Sequence, residues 1–140
     1  MKKNQEGFTL VELMLVVIII SILVAMVVPR LMGRSDQARE AAARADIEAN
    51  LASALDLYEV DTGLFPKTDQ GLDALMNKPS NSQIAKRWKG PYLKKKPLDP
   101  WGNPYIYKFP GDHGSSYDLY SYGKDGGEGG GDDITSWEKE

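Results

Sequence analysis

Apolar residues fill the amino-terminal part of the chain almost without interruption. Between Phe8 and Val28 only Thr9, Glu12 and Ser21 are polar. A helix rises about 1.5 Å per residue, so this stretch predicts a helix roughly 31 Å long, close to the thickness of a bilayer core. A charge inside such a span costs about 2.5–3.5 kcal/mol or more unless it is paired. Glu12 is therefore a candidate functional residue.

A second helical pattern follows the apolar stretch. Residues 34–58 are rich in Ala, Arg, Glu and Leu, which favour helix. Apolar side chains recur there at helical spacing and predict one face packed on a core, formed by Ile47, Leu51, Leu55 and Tyr58. Turn-prone residues 61–63 should end this helix. Proline removes a helical hydrogen bond, so Pro29, with Gly33, predicts a kink or a local opening between the two patterns.

Polar and apolar residues then alternate in two short segments. Residues 105–109 and 117–122 each predict a β-strand, and residues 111–116 between them predict a hairpin loop. We expect these strands to form a small antiparallel sheet against the apolar face of residues 47–58. The long helix and the sheet together predict an α+β fold.

The segment between the long helix and the strands is dominated by turn residues. A short helix is expected at residues 69–76, with Thr68 or Asp69 as its cap. Residues 79–104 hold five of the eight prolines and should form a structured loop. Aromatic side chains are expected to anchor this loop on the core, namely Trp88, Tyr92 and Trp101.

Composition limits the remaining possibilities. The chain of 140 residues has room for one anchor helix and one small domain. A net charge of −3 gives no reason to expect nucleic-acid binding, and no cysteine is present to form a disulfide. Stability of the small domain must then come from packing or from a metal. The single histidine, His113, lies in a Gly-Asp-His-Gly loop without a nucleophile motif, so no catalysis is predicted.

A polar leader with two lysines precedes the apolar stretch and ends at a glycine. A secretory signal carries its small-residue cleavage site after the apolar region, whereas here Gly7 comes before it. Cleavage after Gly7 would keep the helix and create a new α-amino group on Phe8, four residues from Glu12. That cation and anion could neutralise one another, within one helix or between staggered subunits.

The order of glycine, phenylalanine and glutamate before an apolar helix resembles the class III signal of type IV pilins and type II secretion pseudopilins. The matching string is Gly7-Phe8-Thr9-Leu10-Val11-Glu12-Leu13. The resemblance implies that a prepilin peptidase cuts after Gly7 and methylates the amino group of Phe8. It also implies that Glu12 helps to dock the subunit into a growing filament.

Glycine and acidic residues dominate the carboxyl-terminal region. The stretch 122–133, called the acidic loop below, combines six glycines with three aspartates and one glutamate. Hard cations such as Ca²⁺ take six to eight oxygen ligands, and glycines let a loop turn its carbonyls inward. The spacing is not that of an EF-hand. The residues alone therefore leave two interpretations, a calcium site and a flexible acidic loop.

Four strings after the long helix resemble the major-pseudopilin family of type II secretion systems. They are residues 66–72, 90–93, 99–105 and 121–126. The resemblance implies a calcium ion in the acidic loop, in place of the disulfide that closes the corresponding region of type IV pilins. The implied ligands are the side chains of Asp125, Asp132 and Asp133 and the carbonyls of Tyr122 and Gly130.

The resemblance implies a structural protein and not an enzyme. Residues 1–7 would be the prepilin leader, residues 8–29 the transmembrane and filament-core helix, and residues 30–140 a periplasmic globular domain. A single span would anchor the subunit in the bacterial inner membrane. The subunit would polymerise into a periplasmic fibre that drives folded exoproteins through the outer-membrane secretin. Other expected partners are the prepilin peptidase, the minor pseudopilins and the inner-membrane assembly platform.

Two other functions remain open at the level of sequence. One is a type IV pilin for adhesion or twitching, against which stand the missing cysteine pair and the acidic loop. The other is a monomeric, membrane-tethered calcium-binding protein, which would not need a cleavable leader.

Overall fold

The computed structural model describes residues 7–114 and 116–138, with the side chains of residues 28–32 excepted. The chain divides into two compact units, Met1–Gln37 and Ala38–Glu140. Residues 1–6 of the predicted leader lie outside the described residues. The expected fold class is confirmed, because a long amino-terminal helix and a small antiparallel sheet are both present.

The first unit is helical from its fourth described residue. Helix α1 (Leu10–Ala45) begins there, and the Thr9 hydroxyl accepts a hydrogen bond from the Glu12 N–H at 3.2 Å. This is the bond that an N-cap threonine makes to the third helical residue. Helix α1 continues through Pro29 and Gly33 without a break, so the predicted local opening is absent, and the predicted kink stays a prediction. Proline's fixed φ is compatible with helix, and one lost hydrogen bond does not end it here.

The change of helix type falls instead inside the second unit. Residues Asp46–Leu51 form a π-helical turn, called the π turn below, and α2 (Ala52–Thr62) follows directly. The end of α2 is where the sequence predicts it. Gly63 caps α2 with φ +91°, a left-handed conformation that glycine adopts without a steric penalty.

Three short antiparallel strands form the sheet, in the order β1-β2-β3. Strands β1 (Ile106–Lys108) and β2 (Asp118–Ser121) confirm the two predicted strands and the hairpin between them. The third strand, β3 (Ile134–Thr135), was not predicted. It pairs with the end of β2, where Ser121 faces Ile134.

One hydrophobic core joins the predicted helical face to the sheet. All the side chains predicted for the apolar helical face are buried, and they pack with buried side chains from the sheet region. The members from the helix are Ile47, Leu51, Leu55 and Tyr58, and those from the sheet region are Tyr105, Tyr107, Leu119 and Ile134. The core thus holds the acidic loop at both ends, because β2 enters it and β3 leaves it.

The segment that connects α2 to β1 contains more regular secondary structure than the sequence predicts. The short helix expected at residues 69–76 is present as a 3-10 helix at Gly71–Leu75, and its N-cap residue, Gln70, makes no side-chain capping hydrogen bond. The capping roles predicted for Thr68 and Asp69 are therefore wrong. The Thr68 hydroxyl instead bonds both backbone polar groups of Phe109, each at 2.9 Å, and so ties this segment to the end of β1.

A short helix also forms within the predicted proline-rich loop. Helix α3 (Ser82–Arg87) is capped by the Asn81 side chain, which accepts the Gln83 N–H at 3.0 Å. The three predicted aromatic anchors, Trp88, Tyr92 and Trp101, do pack against the core.

Candidate assembly and metal sites

The amino-terminal segment combines a long apolar surface with one carboxylate. Within the described residues one helix is long and apolar enough to cross a bilayer, at Leu10–Val27 with a mean hydropathy of 3.1. Phe8 is 77% exposed, and Glu12 is an exposed acid in the first turn of α1. A carboxylate there also interacts favourably with the positive end of the helix dipole.

Thr9 caps the start of α1 next to Glu12, a role that was not predicted from the sequence. Its hydroxyl fixes the Glu12 N–H, and its carbonyl accepts the Leu13 N–H at 3.2 Å. The signal was available, since threonine followed three residues later by glutamate is the capping-box pattern. Thr9 therefore helps to set where α1 begins and hence how Glu12 is presented.

Two of the three aspartates predicted to bind calcium come together around Gly130. A Cβ added to Gly130 would lie 2.7 Å from Asp125 Oδ2 and 3.0 Å from Asp132 Oδ1. The Asp125 N–H also donates to Asp132 Oδ2 at 2.9 Å. Gly130 has φ +82°, so both its missing side chain and its backbone conformation are needed for the two carboxylates to approach.

The third aspartate, Asp133, faces a different part of the loop. Its Oδ2 accepts the Gly129 N–H at 2.9 Å, while its Oδ1 is buried without a hydrogen-bond partner. A buried acceptor left unpaired costs free energy of about 1–3 kcal/mol. A cation would remove that cost by supplying a positive partner.

The first predicted carbonyl donor, Tyr122, lies where the two ends of the loop meet, and the second, Gly130, lies between the two converging carboxylates. Gly123, with φ +68°, follows Tyr122, and a Cβ on Gly123 would collide with the Asp132 carbonyl. The start and the end of the acidic loop are therefore in direct contact, which only glycine permits at this position.

The donor set fits a hard cation, although no group of three acidic side chains converges among the residues described. The predicted donors are all oxygens, which is what Ca²⁺ prefers. Gly130 provides a cradle between two carboxylates, and Asp133 has an orphaned oxygen. The three carboxylates and the Tyr122 and Gly130 carbonyls could hold the ion, whose charge would offset the repulsion among the carboxylates.

A buried pair of polar side chains adjoins the acidic loop and was not predicted. Asp99 is 4% exposed and Ser121 is 0% exposed. The Ser121 hydroxyl donates to Asp99 Oδ2 at 2.6 Å and accepts the Gly123 N–H at 3.0 Å. The two residues are far apart in the chain, so no local pattern could have revealed the contact.

The single histidine, His113, contacts a buried carboxylate and stacks on an aromatic ring. His113 Nδ1 lies 2.9 Å from Asp118 Oδ2, and the imidazole stacks on Trp137 with ring centroids 3.9 Å apart. Burial acts to raise the pKa of Asp118. Hydrogen bonds from the backbone of Asp112 and from the side chain and backbone of His113 outweigh burial and hold that pKa below its usual value.

Comparisons with known proteins agree along nearly the whole chain. Residues 2–28 match the family model of the prokaryotic N-terminal methylation motif, and residues 30–137 match that of type II secretion system (T2SS), protein G. The type II secretion system core protein G of Pseudomonas aeruginosa is 52% identical, with 98% of each chain covered. That of Vibrio cholerae is 48% identical, covering 96% of this chain and 93% of the relative.

A solved structure shows the same fold. The crystal structure of the major pseudopilin from the type 2 secretion system of enterohaemorrhagic Escherichia coli matches with a TM-score of 0.66. It is 38% identical, and the match covers 76% of this chain and 89% of that one.

The fold and the amino-terminal motif define the class as proteins that carry a prepilin-type signal ahead of a small α+β domain. Within that class, the chain belongs to the type II secretion system protein G family.

Proposed function

We propose that this chain is the major structural subunit of a type II secretion pseudopilus. The observation that carries the proposal is the joint match of the methylation motif and of the protein G family, end to end on one chain. The exposed apolar helix supports it, because an apolar surface of that length needs either lipid or other helices around it. Copies of the chain would supply those helices in the fibre core.

The amino-terminal residues have distinct roles in this proposal. A prepilin peptidase would cleave after Gly7, and methylation would follow on Phe8. Glu12 would neutralise the new amino group of a neighbouring subunit as the helix leaves the membrane. The single carboxylate in the Leu10–Val27 span supports this role, since an unpaired charge there would be costly.

The acidic loop would bind one calcium ion and stabilise the second unit. The converging carboxylates of Asp125 and Asp132 and the orphaned oxygen of Asp133 support the proposal. The sequence has no cysteine to form a disulfide here, so the ion would be the link between the carboxylates of a loop whose two ends the core already holds. Its role is structural, and no bond-making step is assigned to it.

The proposed location and partners follow from the same fibre. The α1 span would sit in the inner membrane, with the second unit in the periplasm, before the subunit enters the fibre. The fibre would contact minor pseudopilins, the assembly platform and, at its outer end, the secretin and its exoproteins. No nucleic-acid partner is proposed.

A deletion strain tests the function directly. Secreted enzymes are assayed in the medium and in the periplasm, and twitching is measured in the same cells. The proposal expects enzymes trapped in the periplasm with twitching intact, and plasmid expression should restore secretion. Normal secretion with lost twitching would instead assign the chain to a type IV pilus.

A further inference from the structure

The buried pair Asp99 and Ser121 forms one end of a continuous hydrogen-bonded relay. Asp99 lies in a tight turn that a bridge between Leu98 and Pro104 closes. Its Oδ1 accepts the Trp101 and Asn103 N–H groups at 3.0 Å and 2.8 Å. These bonds fix the carboxylate, so its other oxygen, Oδ2, is presented in a defined position.

The Ser121 hydroxyl carries the relay onward. It donates to Asp99 Oδ2 at 2.6 Å, so its hydrogen points at Asp99 and its lone pairs are free to accept. One of them accepts the Gly123 N–H at 3.0 Å. The charge of Asp99 strengthens the first bond, and mutual polarisation strengthens the second.

The accepted N–H belongs to the same peptide unit as the Tyr122 carbonyl. A trans peptide is planar, so its N–H and C=O point in opposite directions. Fixing the Gly123 N–H on Ser121 therefore fixes the direction of the Tyr122 carbonyl. Gly123 also contacts the backbone of Asp132, so this peptide lies where the two ends of the acidic loop meet.

We propose that Asp99 and Ser121 are positioning residues for the cation site, because they hold the Tyr122–Gly123 peptide in the orientation that presents the Tyr122 carbonyl as a ligand. The inference rests on the proposed calcium binding of the acidic loop. A second contact supports the coupling, since Gly126 packs close to Asn103 in the Asp99 turn: a Cβ on Gly126 would lie 3.3 Å from Asn103 Nδ2.

The test compares calcium affinity in three versions of the full-length protein in detergent, by isothermal titration with CaCl₂. The variant S121A should bind calcium about tenfold more weakly than the wild type, because one hydrogen bond near 1.4 kcal/mol corresponds to that factor. The variant S136A is the matched control, since the Ser136 hydroxyl accepts the Leu119 N–H at 3.1 Å, at the other end of β2. It should keep the wild-type affinity.

A second measurement separates positioning from simple loss of stability. The melting temperature of each variant is measured with calcium and with EGTA. If Ser121 has a purely structural role, S121A should lower the melting temperatures with calcium and with EGTA equally. If Ser121 positions the site, S121A should reduce the rise in melting temperature that calcium causes. S121T keeps the hydroxyl and should restore the rise. If S121A fails to fold, D99N takes its place, because it removes the charged acceptor with little change in shape.

The outcomes separate the positioning role of Asp99 and Ser121 from calcium binding by the acidic loop. Wild-type affinity in S121A and D99N, with calcium bound normally, would overturn the positioning role and leave the calcium site standing. A wild-type protein that binds no calcium would overturn both. If S136A bound calcium as weakly as S121A, the relay would also be rejected. Loss of any serine hydrogen bond next to β2 would then be enough to weaken calcium binding.

Discussion

The Asp132 carboxylate has contacts on both sides of the acidic loop, and its removal gives the most direct test of calcium binding. In D132A the rise in melting temperature caused by calcium should disappear. At a calcium concentration of about 100 times Kd the wild-type gain is about 2.7 kcal/mol, which corresponds to roughly 10–20 °C in a domain of this size. Differential scanning calorimetry with calcium and with EGTA measures it.

Glu128 supplies the control for that experiment. It is an exposed acid in the same loop and is outside the proposed ligand set. The variant E128A should keep the calcium-dependent rise. An equal loss in both variants would mean that net loop charge, and not a defined site, attracts the ion.

The Asp118 carboxylate links stability to pH. Its pKa lies below the usual value in the folded state, so its contribution is complete above the unfolded-state pKa of about 3.9 and is lost as pH falls through the lower folded value. D118N should cost about 1–3 kcal/mol near pH 7, since hydrogen bonds to a charged acceptor are lost. The deficit should shrink below about pH 4.

Denaturant unfolding at pH 7 and at pH 3 measures this difference. D69N serves as the control, because Asp69 is an exposed aspartate in the same unit. A deficit in D118N that is the same at both pH values would contradict the assignment of the effect to the ionised carboxylate.

Individual side-chain positions were predictable from sequence only where a local pattern fixed them. Glu12 was identifiable because a lone carboxylate in an apolar run is conspicuous, and Thr9 should have been, because its capping pattern is local. The contact of Asp99 with Ser121 was not, because it depends on how the core brings two distant segments together. Long-range pairs of this kind leave no periodicity in the sequence.

At the scale of elements, the π turn accounts for an unusual spacing. The buried residues Ala43, Ile47, Leu51 and Leu55 follow one another at intervals of four. On a regular α-helix each such step rotates about 40° away from the preceding residue. The wider π turn offsets that drift and keeps these side chains on the core. A π turn behaves as one inserted residue within an α-helix.

Deletion of the exposed Ala49 should therefore be tolerated. The interval between Ile47 and Leu51 would become three, which still places both side chains on one face of a regular helix. We expect the melting temperature to change by less than about 8 °C, the equivalent of about 1 kcal/mol. Thermal unfolding followed by circular dichroism measures it.

Deletion of the exposed Asp56 is the matched comparison. It would place Leu55 and Tyr58 two apart, on different faces of α2, and should abolish cooperative unfolding. Equal damage from both deletions would show that the π turn has no special tolerance for the loss of a residue.

The elements themselves were predictable in proportion to their length. The helix end at Gly63 and strands β1 and β2 were anticipated because several residues share one pattern. Strand β3 escaped because the two residues Ile134–Thr135 show no alternation. Helix α3 escaped because the surrounding prolines outweighed the capping signal of Asn81.

At the scale of the whole molecule, the proposed fibre makes Glu12 essential for assembly and dispensable for membrane insertion. In E12A the apolar span is intact, so the protein should fractionate with membranes as the wild type does. Without Glu12 the Phe8 amino group of a neighbouring subunit would be left unpaired, at a cost of about 2.5–3.5 kcal/mol. The yield of crosslinked oligomers should therefore fall by about tenfold or more. Chemical crosslinking of membranes followed by immunoblotting measures the ladder.

Ser21 provides the control within the same span. Its hydroxyl donates to the Val17 carbonyl at 2.7 Å, so S21A removes a polar group without removing a charge. The ladder of S21A should match that of the wild type. A normal ladder in E12A would reject the pairing role of Glu12.

The pairing of Ser121 with Ile134 has a consequence for how this chain can vary. These residues are neighbours on β2 and β3, so the acidic loop is the connection of a hairpin whose two ends the core already holds. The entropy of closing such a connection rises only with the logarithm of its length, by about 0.6 kcal/mol for each doubling. Insertions and deletions near Gly127 and Glu128 should thus cost little loop-closure entropy in the calcium-free protein, so the length of the loop can vary without rebuilding the sheet.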